Sequence, residues 1–215
     1  MTIDYNHARE LMVEQQIRPW DVLDIRVLDV LATLPREAFA ADAHKALAYT
    51  DVELPQINGQ HMLKPVIQGR ILQAAAVGET DEVLEIGTGS GYLTACLGQL
   101  AREVLSLEID PAQAEAARDN LNASHLGDNV RIEEADALTW QTDRQFDVIV
   151  VTAAMETVPT AFLKWLRPTG RLFVIVGQSP AMEAITITAD GKTTSHFDTD
   201  IGYLTGAAPA PQFAL

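Results

Sequence analysis

The sequence has one cysteine, Cys96, and few cations. A single cysteine excludes an intrachain disulfide, which is typical of a protein in a reducing compartment. Lysine and arginine number 15 against 30 aspartates and glutamates, so the net charge is −15. A surface this acidic repels phosphate backbones, and we therefore expect no nucleic-acid partner.

Long apolar runs are also missing. No stretch approaches the roughly 18 apolar residues that cross a bilayer, and the first residues carry charge from Asp4 without an apolar signal segment. We therefore expect a cytoplasmic protein without a membrane partner. The five histidines show no His-x-x-x-His spacing, so no metal site is predicted.

From residue 81 onwards, short apolar runs alternate with helical stretches. Runs rich in valine, isoleucine and leucine are typical of strands that are buried on both faces. The predicted parallel strands are 82–86, 103–108, 130–134, 146–152 and 171–176. The predicted helices between them are 92–100, 111–126 and 159–166. This alternation indicates a parallel sheet with crossover helices. After it, residues 184–197 predict a hairpin and 201–205 favour a further strand.

The first 75 residues follow another pattern. The spacing of apolar residues predicts helices over residues 6–34, with a break at Arg18-Pro19. Asp21 lies in an N-cap position before the second helix. Residues 36–64 are irregular, and Pro65 suits the first turn of a helix. The fold class predicted is α/β: a Rossmann-like, mostly parallel sheet of about seven strands with helices on both faces, plus an N-terminal helical cap. The predicted divisions are a cap with a substrate loop (1–75), a Rossmann-like domain (76–206) and a tail (207–215).

The strongest motif joins the first strand to the helix that follows it. Gly87, Gly89 and Gly91 alternate there, and glycine lets a backbone turn sharply and approach a ligand closely. The spacing Gly-x-Gly-x-Gly differs from the Gly-x-Gly-x-x-Gly of dinucleotide sites, which disfavours a nicotinamide-dependent oxidoreductase. It resembles motif I of class I methyltransferases, which wraps S-adenosylmethionine.

Three further polar residues lie where parallel strands end. Glu108 ends the second strand, where a carboxylate can accept hydrogen bonds from ribose hydroxyls. Asp136 follows the third strand, and Thr152 ends the fourth. Each also has a plain structural interpretation: a solvated strand end for Glu108 and Thr152, and a turn cap for Asp136. In combination they favour a cofactor site. The predicted cofactor-binding residues are Glu85, Gly87, Thr88, Gly89, Ser90, Gly91, Tyr92, Glu108, Ile109, Asp136, Ala137 and Thr152.

Segments along nearly the whole chain are similar to the protein-L-isoaspartate O-methyltransferase family. They are 12–17, 34–39, 48–51, 59–65, 85–92, 146–154 and 203–206, in the family's order. The resemblance implies S-adenosyl-L-methionine as methyl donor and S-adenosyl-L-homocysteine as product. It also implies a protein or peptide carboxylate as acceptor, in the repair of aged aspartyl and asparaginyl sites.

The sequence departs from this family at the substrate loop. The family pattern is Gly-Gln-Thr-Ile-Ser, then Gln or Ala, then Pro, and its serine is the residue usually given a catalytic role. Here Gly59, Gln60 and Pro65 match this pattern, but Leu63 takes the serine position and has no hydrogen-bonding group. The candidate catalytic residues are Gln60, His61, Leu63 and Lys64.

This departure leaves three functions open. The first is an isoaspartyl-type carboxyl methyltransferase, whose activity on isoaspartyl peptides we expect to be weak or absent and to rise in Leu63→Ser. The second is a divergent enzyme that methylates another acceptor, such as an unidentified small molecule. The third is a non-catalytic S-adenosylmethionine-binding protein. Lys64 is either a cation for an anionic acceptor or a solvated lysine, and His61 is either a base or a packing residue.

Overall fold

The computed structural model describes residues 3–210. Its centre is a seven-stranded sheet with the order β5-β4-β3-β6-β7-β8-β9. The strands are β3 (Glu82–Ile86), β4 (Glu103–Glu108), β5 (Val130–Glu134), β6 (Phe146–Met155), β7 (Leu166–Gln178), β8 (Ala181–Thr188) and β9 (Thr193–Thr199). The first five pair in parallel, while β8 and β9 add an antiparallel edge. The α/β fold and the predicted hairpin are therefore confirmed.

Consecutive strand residues are buried on opposite faces of this sheet. Val83 belongs to one hydrophobic cluster and Leu84 to the other, and both are fully buried. The crossover helices are α4 (Tyr92–Leu100), α5 (Pro111–Ala123) and the short α6 (Thr160–Lys164). Leu93 and Leu97 of α4 join the first cluster and Phe162 of α6 joins the second, so helices cover both faces as predicted.

The segment before the sheet is largely helical. It contains α1 (Tyr5–Met12), a π-helical turn (Val13–Ile17), α2 (Ile25–Thr33), several 3₁₀ turns and α3 (Pro65–Ala75). A two-stranded ribbon of β1 (Leu54–Pro55) and β2 (His61–Met62) interrupts it. Residues of this segment share one hydrophobic cluster with the sheet. The boundary between residues 75 and 76 stays a prediction.

The structure corrects several local predictions: α5 ends at Ala123 rather than at residue 126, and β6 and β7 are longer than the predicted strands 146–152 and 171–176. Asp24, not Asp21, caps α2, because the Gln73 side chain of α3 bonds the backbone of 21–24 and holds that stretch in a turn. Helix α6 ends at Lys164, since Leu166 already pairs with Phe146 in the sheet. Residues 201–205 form no strand, because only Tyr203 bridges to Ala154.

Within 3–210, no helix is both long and apolar enough to cross a membrane. The same residues contain no cluster of three or more His, Cys, Asp or Glu side chains that could hold a metal ion.

The predicted tail begins at Ala207, whose carbonyl accepts a hydrogen bond from the Glu156 amide at 3.1 Å. Residues 211–215 lie outside the described part of the chain.

Candidate active site

The glycine loop is fastened to the neighbouring strand by Thr152. The Thr152 hydroxyl donates to the carbonyl of Gly87 at 2.6 Å and reaches that of Ile86 at 3.1 Å. Gly87 has φ +96°, and a Cβ there would lie 2.5 Å from Thr152 Oγ1. Both the left-handed backbone and the close approach therefore require glycine at this position.

Glu108 lies at the end of β4 and reaches back to the same loop. Its Oε2 accepts a hydrogen bond from the Gly89 amide at 2.9 Å, and its Oε1 accepts one from the Asp110 amide at 3.1 Å. A carboxylate offers about four lone-pair sites. About half of them therefore remain for a ligand that lies over the loop.

A cavity of about 420 Å³ opens at the carboxyl ends of β3, β4 and β6. Ligands bind at such edges in open α/β sheets, next to the point where the strand order reverses. Most of the predicted site residues meet here. Those that line this cavity, which we call the main cavity, are Gln60, His61, Gly87, Gly89, Glu108, Ile109, Asp136, Ala137 and Thr152.

A smaller cavity of about 50 Å³ adjoins the main cavity, and Gly87, Gly89 and Thr152 line both. Its walls include the predicted residues Leu63, Thr88 and Ser90, and it shares His61 with the main cavity. We call it the side cavity. The substrate loop therefore lies beside the glycine loop.

Four predicted residues line neither cavity. Lys64 is exposed at the N-cap of α3, Gly91 packs against Ala117 of α5, and Tyr92 is buried. Glu85 is fully buried, and its Oε2 accepts hydrogen bonds from Thr94 at 2.5 Å and Ser106 at 2.6 Å. Burial raises the pKa of the Glu85 carboxyl to about 8. These four residues therefore lie next to the glycine loop or the substrate loop, outside both cavities.

Asp136 lines the main cavity but is partly engaged in its own turn. Its Oδ1 accepts a hydrogen bond from the Leu138 amide at 2.9 Å, which is the capping arrangement of a short turn. Asp136 therefore caps this turn, whether or not it also contacts a ligand.

Comparison with known proteins decides the family. The sequence profile of Protein-L-isoaspartate(D-aspartate) O-methyltransferase matches residues 7–208. The chain belongs to this family. A Methylorubrum extorquens protein-L-isoaspartate O-methyltransferase is 38% identical over 189 residues, which cover 88% of this chain and 82% of the relative. One from Koribacter versatilis is 39% identical over 181 residues, covering 83% and 80%.

A solved structure supports the fold of this family member. A Plasmodium falciparum protein described as a protein-L-isoaspartate O-methyltransferase, in complex with S-adenosyl-L-homocysteine, superposes with a TM-score of 0.80. The two share 17% sequence identity, and the match covers 94% of this chain and 99% of the other. At this identity the likeness concerns the fold alone.

Two glutamines of this methyltransferase that the sequence did not predict both contact the glycine loop. Gln113 Nε2 donates to the Gly89 carbonyl at 2.7 Å. Gln56 lies over Gly89, and its amide satisfies its neighbours when the oxygen accepts from Ser90 N at 3.2 Å and Met62 N at 3.1 Å. Gln113 stands in the first turn of the helix after Glu108, and that position was a usable signal. Gln56 had none, because its place depends on the ribbon.

Proposed function

We propose that this methyltransferase moves a methyl group from S-adenosyl-L-methionine to the free α-carboxylate of an isoaspartyl residue in a protein or peptide. One observation carries the proposal: the substrate loop of this chain lies against the wall of the main cavity. His61 borders both cavities, while Leu63 borders the side cavity. A donor in the main cavity and an acceptor at this loop would therefore be neighbours.

The residues of the main cavity fit the methyl donor, S-adenosyl-L-methionine. Gln113 is 6% exposed, and its Oε1 has no hydrogen-bond partner among the described residues. A buried acceptor of this kind costs about 1–3 kcal/mol when it stays unpaired. The donor molecule carries hydroxyl, amino and ammonium groups that would satisfy it. Glu108 keeps free lone pairs beside it, and the cavity volume lies in the range typical of small-molecule sites.

The chemistry asks little of the side chains. S-adenosyl-L-methionine supplies an electrophilic methyl group on a sulfonium sulfur. An acceptor carboxylate has a pKa near 4 and is ionised at pH 7, so no general base is required. The chain's contribution is to hold the two partners in line and close together, which supplies up to ~7–11 kcal/mol in favourable cases. A leucine at position 63 is compatible with such a reaction, because no proton transfer depends on that position.

The loops provide this alignment. Gln56 links the ribbon to Ser90, Thr152 fixes Gly87, and Glu108 fixes Gly89. The glycine loop is therefore bonded from three separate elements of the fold. A loop bonded in this way keeps its geometry without reorganising when ligands enter, which favours reaction over simple binding.

The test is transfer of radiolabelled methyl groups to an isoaspartyl peptide, with the same peptide carrying normal aspartate as control. We expect label on the isoaspartyl peptide alone, and its release in mild base, because a carboxyl methyl ester hydrolyses there. No transfer, with donor binding intact by calorimetry, would contradict the isoaspartyl acceptor. Label that resists mild base would indicate another acceptor group. Failure to bind the donor would contradict the whole proposal.

A further inference from the structure

A buried arginine lies behind the side cavity. Arg36, in the 3₁₀ turn Arg36–Phe39, is 0% exposed, and no carboxylate of the described residues lies within 4.0 Å of it. Its guanidinium donates to the carbonyls of Ala48 and Leu63, each at 2.7 Å, and to the side-chain oxygen of Gln68. The face of the Tyr92 ring lies 5.0 Å from its central carbon. All of these partners are neutral.

Arg36 remains a cation under ordinary conditions. Burial lowers the pKa of the guanidinium to about 10, which is still well above neutral pH. A buried charge without a counter-ion in direct contact is costly, and oriented dipoles stabilise it. Two of those dipoles, the Leu63 carbonyl and the Gln68 amide, belong to residues that line the side cavity.

The bond from Arg36 fixes the orientation of the Gln68 amide. Arginine has no acceptor, so the group facing it must be the oxygen of Gln68. The amide nitrogen then points away from the guanidinium, and none of the side chains that the structure describes accepts a hydrogen bond from it. Gln68 is 3% exposed and lines the side cavity together with Leu63 and Gly89. Its N–H groups are thus the part of this side chain left for a ligand.

We propose that Gln68 binds the carboxylate of the methyl acceptor in the side cavity, and that Arg36 is the positioning residue that orients and polarises it. This assignment rests on the proposed function. It gives the site a hydrogen-bond donor although position 63 has none. Hydrogen bonds in a chain strengthen one another at low dielectric, so donation from a cation makes the Gln68 amide a better donor to an anion. The buried positive charge also favours an anionic acceptor over a neutral one.

The decisive variant is Gln68→Glu. Glutamate keeps the partner of Arg36 and adds a counter-ion, so the fold is retained, but it removes the N–H donor and sets a negative charge against the acceptor. We expect kcat/KM on an isoaspartyl peptide to fall roughly 10- to 100-fold or more, mainly through KM. The affinity for S-adenosyl-L-homocysteine and the Tm should not fall. Gln141→Glu is the matched control, because Gln141 is exposed and lines neither cavity.

Gln68→Met tests the same donor without adding charge. It is similar in volume, and we expect the same rise in KM, with some loss of Tm because Arg36 loses one partner. If both variants retain the kcat/KM of the wild type, the assignment of Gln68 is overturned, but the proposed function is not. Equal losses of Tm, cofactor affinity and kcat in Gln68→Glu would also overturn it, since they indicate a structural role. A wild type that neither methylates nor binds the peptide, while binding S-adenosyl-L-homocysteine, would overturn the proposed acceptor and this assignment together.

Discussion

The Thr152 hydroxyl lies 2.6 Å from the Gly87 carbonyl oxygen and holds the first glycine of the loop against β6. Because this bond joins the loop to a different strand, we expect Thr152→Val to weaken binding of S-adenosyl-L-homocysteine by about 1 kcal/mol. Valine keeps the shape of threonine and removes only the hydroxyl. Isothermal titration calorimetry measures the change. An unaltered Kd would show that the loop holds its geometry without this bond.

Glu108 is predicted to contribute directly to cofactor affinity. Glu108→Ala should weaken S-adenosyl-L-homocysteine binding by about 1–3 kcal/mol, because the variant leaves polar ligand groups and the Gly89 amide without their acceptor. Glu115→Ala removes an exposed carboxylate from the adjacent helix α5 and serves as control. Equal affinities for the two variants would remove Glu108 from the binding site.

Buried Glu85 makes stability depend on pH. Desolvation raises the pKa of its carboxyl from 4.5 to about 8, and the Glu108 charge adds to the effect. Below pH 4.5 the folded and unfolded chains both hold this proton. Between pH 4.5 and about pH 8 only the folded chain keeps it, so the free energy of unfolding falls as pH rises, by roughly 1.4 kcal/mol per pH unit for this group.

Glu85→Gln isolates that contribution, since glutamine is neutral at every pH. The difference in urea-unfolding free energy between wild type and variant should change in favour of the variant from pH 5 to 8 and then level off. Other titrating groups cancel in this difference. A difference that is constant with pH would mean that Glu85 keeps its ordinary pKa in the folded protein.

The substrate loop supplies a paired prediction. Leu63 lines the side cavity, so Leu63→Ser places a hydroxyl there and should raise kcat/KM on an isoaspartyl peptide by about tenfold. Lys64 is exposed and lines neither cavity, so Lys64→Ala should change kcat/KM by less than about twofold. Steady-state kinetics on both variants test the pair. A large loss in Lys64→Ala would show that its side chain reaches the acceptor after all.

Much of the architecture was predictable because it rests on local rules. Runs of β-branched and apolar residues predicted β3, β4 and β5 to the residue, and Pro65 and Pro111 marked the first turns of α3 and α5. The glycine motif predicted the loop, and parallel strands necessarily bring their carboxyl ends to one edge. The main cavity therefore contains Glu108 and Thr152 as predicted.

The order of the elements, the glycine loop and the edge of the sheet at which the cavity opens all follow from local patterns in the sequence. Tertiary structure alone decided that Gln56 and Gln113 meet at Gly89, that Lys64 faces solvent, and that Arg36 lies behind Leu63. The physical reason is the range of the forces involved. Backbone preference and hydrophobic period act over a few residues, whereas a side chain's direction and partners depend on elements that are distant in the chain and are packed together only by folding.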